Sequence, residues 1–215
     1  MALGQVRLSN GVLLSGTVTV AGQPAANADI DVLLPDGKKV FTPHDTVAAN
    51  GTFAVAVPTG TALRTRVEAP AGSQAYGTVT AAQTFATATN LGTIALATGV
   101  AVNGNVAGTG GAELGASLHF VDTTSNVEIV TTGSVTDANG NYLTYVPPGT
   151  YRIDTFTVEG SFRQKNSQVV TIGAPSTVNI ALADKLARTT LTSLGVPAIP
   201  NASLLPINAL LHSMV

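Results

Sequence analysis

The chain has 215 residues, enough for one large or two small domains, and no cysteine, which excludes disulfide staples, thiolate metal sites and a cysteine nucleophile. Charged residues make up only 10% of it against 45% hydrophobic, with a net charge of −2 and no basic block, so nucleic acid is not an expected partner. Mean hydropathy is +0.33, yet no apolar run approaches the roughly 18–20 residues that span a bilayer, so a membrane is not expected either.

In chain order, residues 1–10 read as a lead-in with an edge strand through Val6-Arg7-Leu8. MALGQVRLSNG has neither the basic n-region nor the apolar stretch of a secretory signal peptide, which predicts synthesis in a cytoplasm without the usual export. A β-branched strand covers 11–20 and ends at Gly22-Gln23-Pro24. A second covers 28–34, closed by Pro35-Asp36-Gly37, and Val40-Phe41-Thr42 restarts it. Within 47–57 lies Asn50-Gly51, followed by Phe53, Val55 and Val57 on one face; Pro58-Thr59-Gly60 stops that strand. Further strands are expected over 62–68, 78–85 and 91–96.

The stretch 135–153 repeats this design more sharply. Asn139-Gly140 supplies the two φ > 0 positions of a type I′ hairpin turn, Tyr142, Thr144 and Val146 point one way, and Pro147-Pro148-Gly149 stops the strand before Tyr151 and Ile153 restart the alternation. Gly51 and Gly140 lie 89 residues apart, Gly16 and Gly104 88, and Ile94 and Ile180 86, three anchors in the same order at nearly constant offset. The chain is a tandem repeat of one unit of about seven short strands, which suits an antiparallel sandwich. Its expected parts are the lead-in (1–10), a first β-sandwich (11–98), a second (99–183) and a C-terminal docking arm (184–215). Ala97-Thr98-Gly99 is too short to let the sandwiches swing freely, so the pair is expected to be semi-rigid.

The second unit, with Thr136-Asp137-x-Asn139-Gly140-x-Tyr142 and Val146-Pro147-Pro148-Gly149-Thr150-Tyr151, resembles the carboxypeptidase regulatory-like domain, a small transthyretin-like (prealbumin-like) sandwich. The first unit departs from that pattern, with Thr59 in place of the second proline and Val47-Ala48 before the turn. In the metallocarboxypeptidases this accessory domain carries no catalytic residue, so the resemblance implies an all-β fold of two tandem Ig-like/transthyretin-like sandwiches and no enzymatic role.

The arm differs from both units. It lacks alternation and carries Pro197, Pro200 and Pro206; Asp184 reads as the N-cap of a short helical turn. Leu204, Leu205, Ile207, Leu210, Leu211 and Met214 crowd its end, too short a helix to stand alone in water, and are expected to dock on another subunit.

Sites of chemistry are not expected. Asp137-x-Asn139-x-Asn141 has the opening of a calcium loop, but Tyr142 and Pro148 occupy the places of its glycine and glutamate. His44, His119 and His212 lack ligand spacing, His44-Asp45 has no nucleophile elbow beside it, and no catalytic, cofactor or metal residue is assigned. Aromatic residues at 5%, with no tryptophan, argue against a carbohydrate-binding platform; Tyr142, Tyr145, Tyr151 and Phe156 read as core and cross-strand pairs. A charge-poor surface points to cover in an assembly. The expectation is therefore a structural protein of a bacteriophage virion, a minor tail or capsid decoration protein, with other virion subunits, copies of itself and a host surface as partners. The alternative is an extracellular or cell-surface adhesive or spacer module.

Overall fold

In the computed structural model, residues 11–159, 161 and 163–184 are described. The lead-in and all of the arm beyond Asp184, with its six apolar residues, fall outside them. Strands β1 (Gly11–Val20), β2 (Gln23–Pro24), β3 (Asp29–Leu33), β4 (Lys39–Val40), β5 (Thr52–Pro58), β6 (Ala62–Glu68), β7 (Thr78–Val79), β8 (Gln83–Thr84) and β9 (Thr89–Leu96) build one sandwich. Strands β10 (Val100–Gly108), β11 (Gly111–Ala112), β12 (Ser117–Asp122), β13 (Asn141–Val146), β14 (Gly149–Phe156), β15 (Asn166–Ile172), β16 (Ser176–Thr177) and β17 (Ile180–Leu182) build the next. Among the described residues there is no helix.

The two sandwiches repeat one arrangement around their first long strand. In the first, β1 is flanked by antiparallel β5 and β2 on one side and by β9 on the other. In the second, β10 is flanked by β13 and β11, with β16 and β17 opposite. The facing sheets are β4-β3-β6 with β7 and β8, and β12-β14-β15. One feature departs from a purely antiparallel design: β9 runs parallel to β1, and β16 and β17 parallel to β10. The repeat reaches loop residues too. Ala75 bridges Thr98 as Arg163 bridges Asp184, and Tyr76 N–H donates to Ala97 O as Gln164 N–H does to Ala183 O. Asp184 is thus a pairing residue of the second sandwich; the short helical turn expected to follow it lies outside the described residues.

Alternation places the cores. Phe53, Val55 and Val57 of β5 are buried with Leu14, Val18, Ile30, Val32, Leu63 and Val67; Tyr142 and Val146 of β13 are buried with Val102, Val106, Leu118, Phe120, Tyr151 and Ile153. Each unit closes its own apolar cluster. The strand expected over 78–85 is two short pieces, because Thr80 turns inward: its N–H donates to Thr65 O, and its hydroxyl accepts from Thr65 N–H (2.9 Å).

The Asn-Gly turns differ from the expected type I′. Ala48 N–H donates to Thr52 O and Gly51 N–H to Ala48 O; Asp137 N–H donates to Asn141 O and Gly140 N–H to Asp137 O. Only the glycines have positive φ, 84° at Gly51 and 74° at Gly140, while Asn50 and Asn139 do not. Both are the longer loop built on a type I turn with glycine as the following left-handed residue. They are also corners between sheets: Thr46 bridges Asp29, and Val135 bridges Ser117, before the chain crosses to β5 or β13. Val18 N–H then donates to Gly51 O (2.7 Å), and Val106 N–H to Gly140 O (2.8 Å).

Candidate functional site

Residues singled out for chemistry turn out to hold turns and strands. The Asp137 carboxylate accepts the N–H groups of Asn139 (2.9 Å) and Asn141 (2.8 Å), so it organises its own turn. His44 sits at φ 62° in the loop after β4, where the second unit has Gly133 at φ 79°. His119 Nδ1 hydrogen-bonds Glu128 (2.8 Å) on an exposed face, with its ring edge-on to Phe156 at 4.9 Å. Pro147-Pro148 separates β13 from β14, which Gly149 opens, and Pro147 O accepts the hydroxyl of buried Tyr151 (2.6 Å). Burial, then the nearby Asp122 and Tyr76, push that hydroxyl's pKa up to about 12; burial likewise raises that of Tyr142. The structure therefore keeps Asp137, His44 and His119 apart rather than converging them, and His212 lies outside the described residues.

A charged cluster with no counterpart in the expectations lies on the outer face of β3 and β6. Asp29 faces Glu68 and Asp31 faces Arg66 across the ladder, and Lys39 of β4 reaches over to Asp31. Arg66 pairs with Glu68 (3.0 Å), and Lys39 also approaches Asp45 (3.6 Å). Asp29, Asp31 and Glu68 present oxygens within 4.8 Å of one another, a spacing that would suit a cation. The ammonium of Lys39 and the guanidinium of Arg66 already neutralise two of these charges, and the cluster works as a clasp holding the 41–46 loop on the sheet. Burial, and then the carboxylates of Asp31 and Asp45, raise the pKa of Asp29. Alternation on β3 was legible in the sequence; the convergence of Lys39 and Glu68 on it was not, since that depends on register.

The feature with the most consequence is the junction between the sandwiches. Segment 69–77 of the first unit lies along the linker and the 130–133 segment of the second. Gly77 N–H donates to Val130 O (2.7 Å), Tyr76 N–H to Ala97 O (3.1 Å), Gly99 N–H to Gln74 O (2.8 Å), and the Thr132 hydroxyl to Ala69 O (2.7 Å). A Cβ on Gly77 would stand 2.2 Å from Val67 O and 2.5 Å from Val130 Cγ1, so this approach needs a residue without one. Val130 is 7% exposed in this seat. Its counterpart at the matching place in the first unit is Phe41, 87% exposed. Nothing local in the sequence marked Gly77, Val130 or Thr132.

No family model matches the chain, and no curated protein matches it. Among solved structures, the shaft pilin SpaA of Lactobacillus rhamnosus GG aligns over 81% of this chain and 98% of its own at 10% identity and a TM-score of 0.36. A streptococcal ancillary pilin aligns over 81% of this chain and 69% of its own (11% identity, TM-score 0.33). The minor pilin GBS52 of Streptococcus agalactiae aligns over 87% of this chain and 100% of its own (10% identity, TM-score 0.32). The described residues are all-β, with two sets of sheets around two cores.

Proposed function

We propose that the chain is a non-enzymatic structural module displayed outside the cell, a spacer of two carboxypeptidase regulatory-like sandwiches held end to end. The observation that carries this reading is the junction: backbone hydrogen bonds, a buried valine and a glycine-only approach join the units, which suits a load-bearing strut better than a hinge. Asp137 and His119 support the non-enzymatic part, each being engaged in local structure. The arm (184–215), with Leu204, Leu205, Ile207, Leu210, Leu211 and Met214, is the proposed anchor to a larger assembly.

Protease shaving and antibody labelling of intact source cells test the setting. Accessible polypeptide on the cell surface is the expected result, and recovery in the soluble cytosolic fraction alone overturns it. Stoichiometric recovery in purified virus particles from the same culture would replace it with the virion reading.

A further inference from the structure

The outer face of the β10–β13 sheet is built unlike its counterpart on the first sandwich. Outward cross-strand pairs on β1 and β5 are Leu13–Ala56, Ser15–Ala54 and Thr17–Thr52. At the same places on β10 and β13 stand Ala101–Tyr145, Asn103–Leu143 and Asn105–Asn141. Two depressions lie on this face. One, of about 310 Å³, is lined by Asn103, Asn105, Asn141, Thr177 and Asn179. The other, of about 160 Å³, is lined by Leu143 and Tyr145 with Ser73 and Thr132 at the junction. Asn103 of the first and Leu143 of the second are cross-strand partners, so the two depressions lie side by side on the sheet.

The amides are oriented. Asn103 Oδ1 accepts from the Thr177 hydroxyl (2.8 Å), Asn141 Oδ1 from Asn105 Nδ2 (3.1 Å), and Asn179 Oδ1 from Asn105 N–H (3.0 Å). With each carbonyl oxygen engaged, the NH2 groups of Asn103, Asn141 and Asn179 are the donors these three lining residues have left to offer. Farther along, Leu143 is 50% exposed and Tyr145 lies beside it on the same face. Charged side chains line neither depression.

The geometry points to a groove for a neutral oligosaccharide, running from the asparagine cluster to Tyr145 at the junction. Sugar hydroxyls and ring oxygens accept from the three amide groups, and the apolar C–H face of a pyranose ring lies against Leu143 and Tyr145. An anion would find no cation there, and a cation no carboxylate. The span from Asn141 to Tyr145, about 13 Å along the strand, exceeds one sugar and favours a chain of several. A low aromatic count does not exclude this, since one outward tyrosine beside amide donors is enough for a weak site. The inference goes beyond the spacer reading and does not depend on it.

The test is an ¹⁵N NMR titration of the full chain with cellotetraose, maltotetraose and tetra-N-acetylchitotetraose, and with a heparin tetrasaccharide as the anionic probe. Expected are saturable shifts of the Asn103, Asn141 and Asn179 side-chain amides and of Leu143 and Tyr145 with at least one neutral probe. Tyr145→Ala should weaken binding roughly tenfold. Asn103→Asp, which keeps the oxygen that accepts from Thr177 and replaces the free NH2 by oxygen, should weaken it comparably, both variants melting like the parent. No shift with any neutral probe, shifts with the heparin fragment alone, or binding untouched by both variants overturns the inference.

Discussion

Replacing Gly140 by alanine separates two costs that glycine avoids at the β13 corner. The first is backbone strain: at φ 74° an L-residue costs roughly 1–2 kcal/mol, partly offset by the lower entropy of the unfolded alanine chain. The second is the close approach. A Cβ there would stand 2.5 Å from Val106 O and 3.1 Å from the Ala112 Cβ. Moving it out to 3.0 Å shifts the turn by about 0.5 Å, at the place where Val106 N–H donates to Gly140 O at 2.8 Å. Weakening that bond costs about 1 kcal/mol more, for a total of about 2–3 kcal/mol. Gly37, at φ 84° with nothing within 4 Å of its missing Cβ, supplies the control, since Gly37→Ala carries the strain alone. Denaturant melts of both variants should therefore place Gly140→Ala about 1 kcal/mol below Gly37→Ala. Gly51→Ala, whose Cβ would meet Val18 O at 2.9 Å, should fall between them. Equal losses at Gly140 and Gly37 would refute the reasoning, because only the close approach distinguishes the two positions.

Three further outcomes are expected. Thr132→Val removes the donor to Ala69 O at the junction and should leave both cores folded while broadening the distribution of inter-sandwich distances measured by paired spin labels; an unchanged distribution would show the junction to be held without it. Asp29→Asn should raise stability at neutral pH by a few tenths of a kcal/mol. The sign follows from the raised pKa: the native state binds this proton more tightly, so the penalty of the charged form is present above the folded pKa and vanishes below the unfolded value of 3.8, where parent and variant should melt together. Removing residues 201–215 should leave both sandwiches with native melting behaviour and abolish incorporation into the larger assembly, checked by sedimentation of the source particles or envelope fraction; normal incorporation would end the case for the arm as anchor.

Alternation along 52–58 and 141–146, the Asn-Gly pairs and the Pro-Gly stops were legible because each acts over a few residues, where side-chain direction and backbone dihedrals are set locally. The repeat was legible for the same reason, its anchors being such local signals at matching offsets. Turn type was not: Asn-Gly serves both a two-residue loop and the longer one found here, and the choice follows from Thr46 and Val135 pairing with the opposite sheet. The junction was hidden because Gly77 matters only through Val67 and Val130, and the outer groove because Asn103, Asn141 and Asn179 are far apart in sequence. Which residues meet across a sheet or between two sandwiches is decided by register and docking, and those are settled by burying both cores at once, a property of the whole chain and of no segment within it.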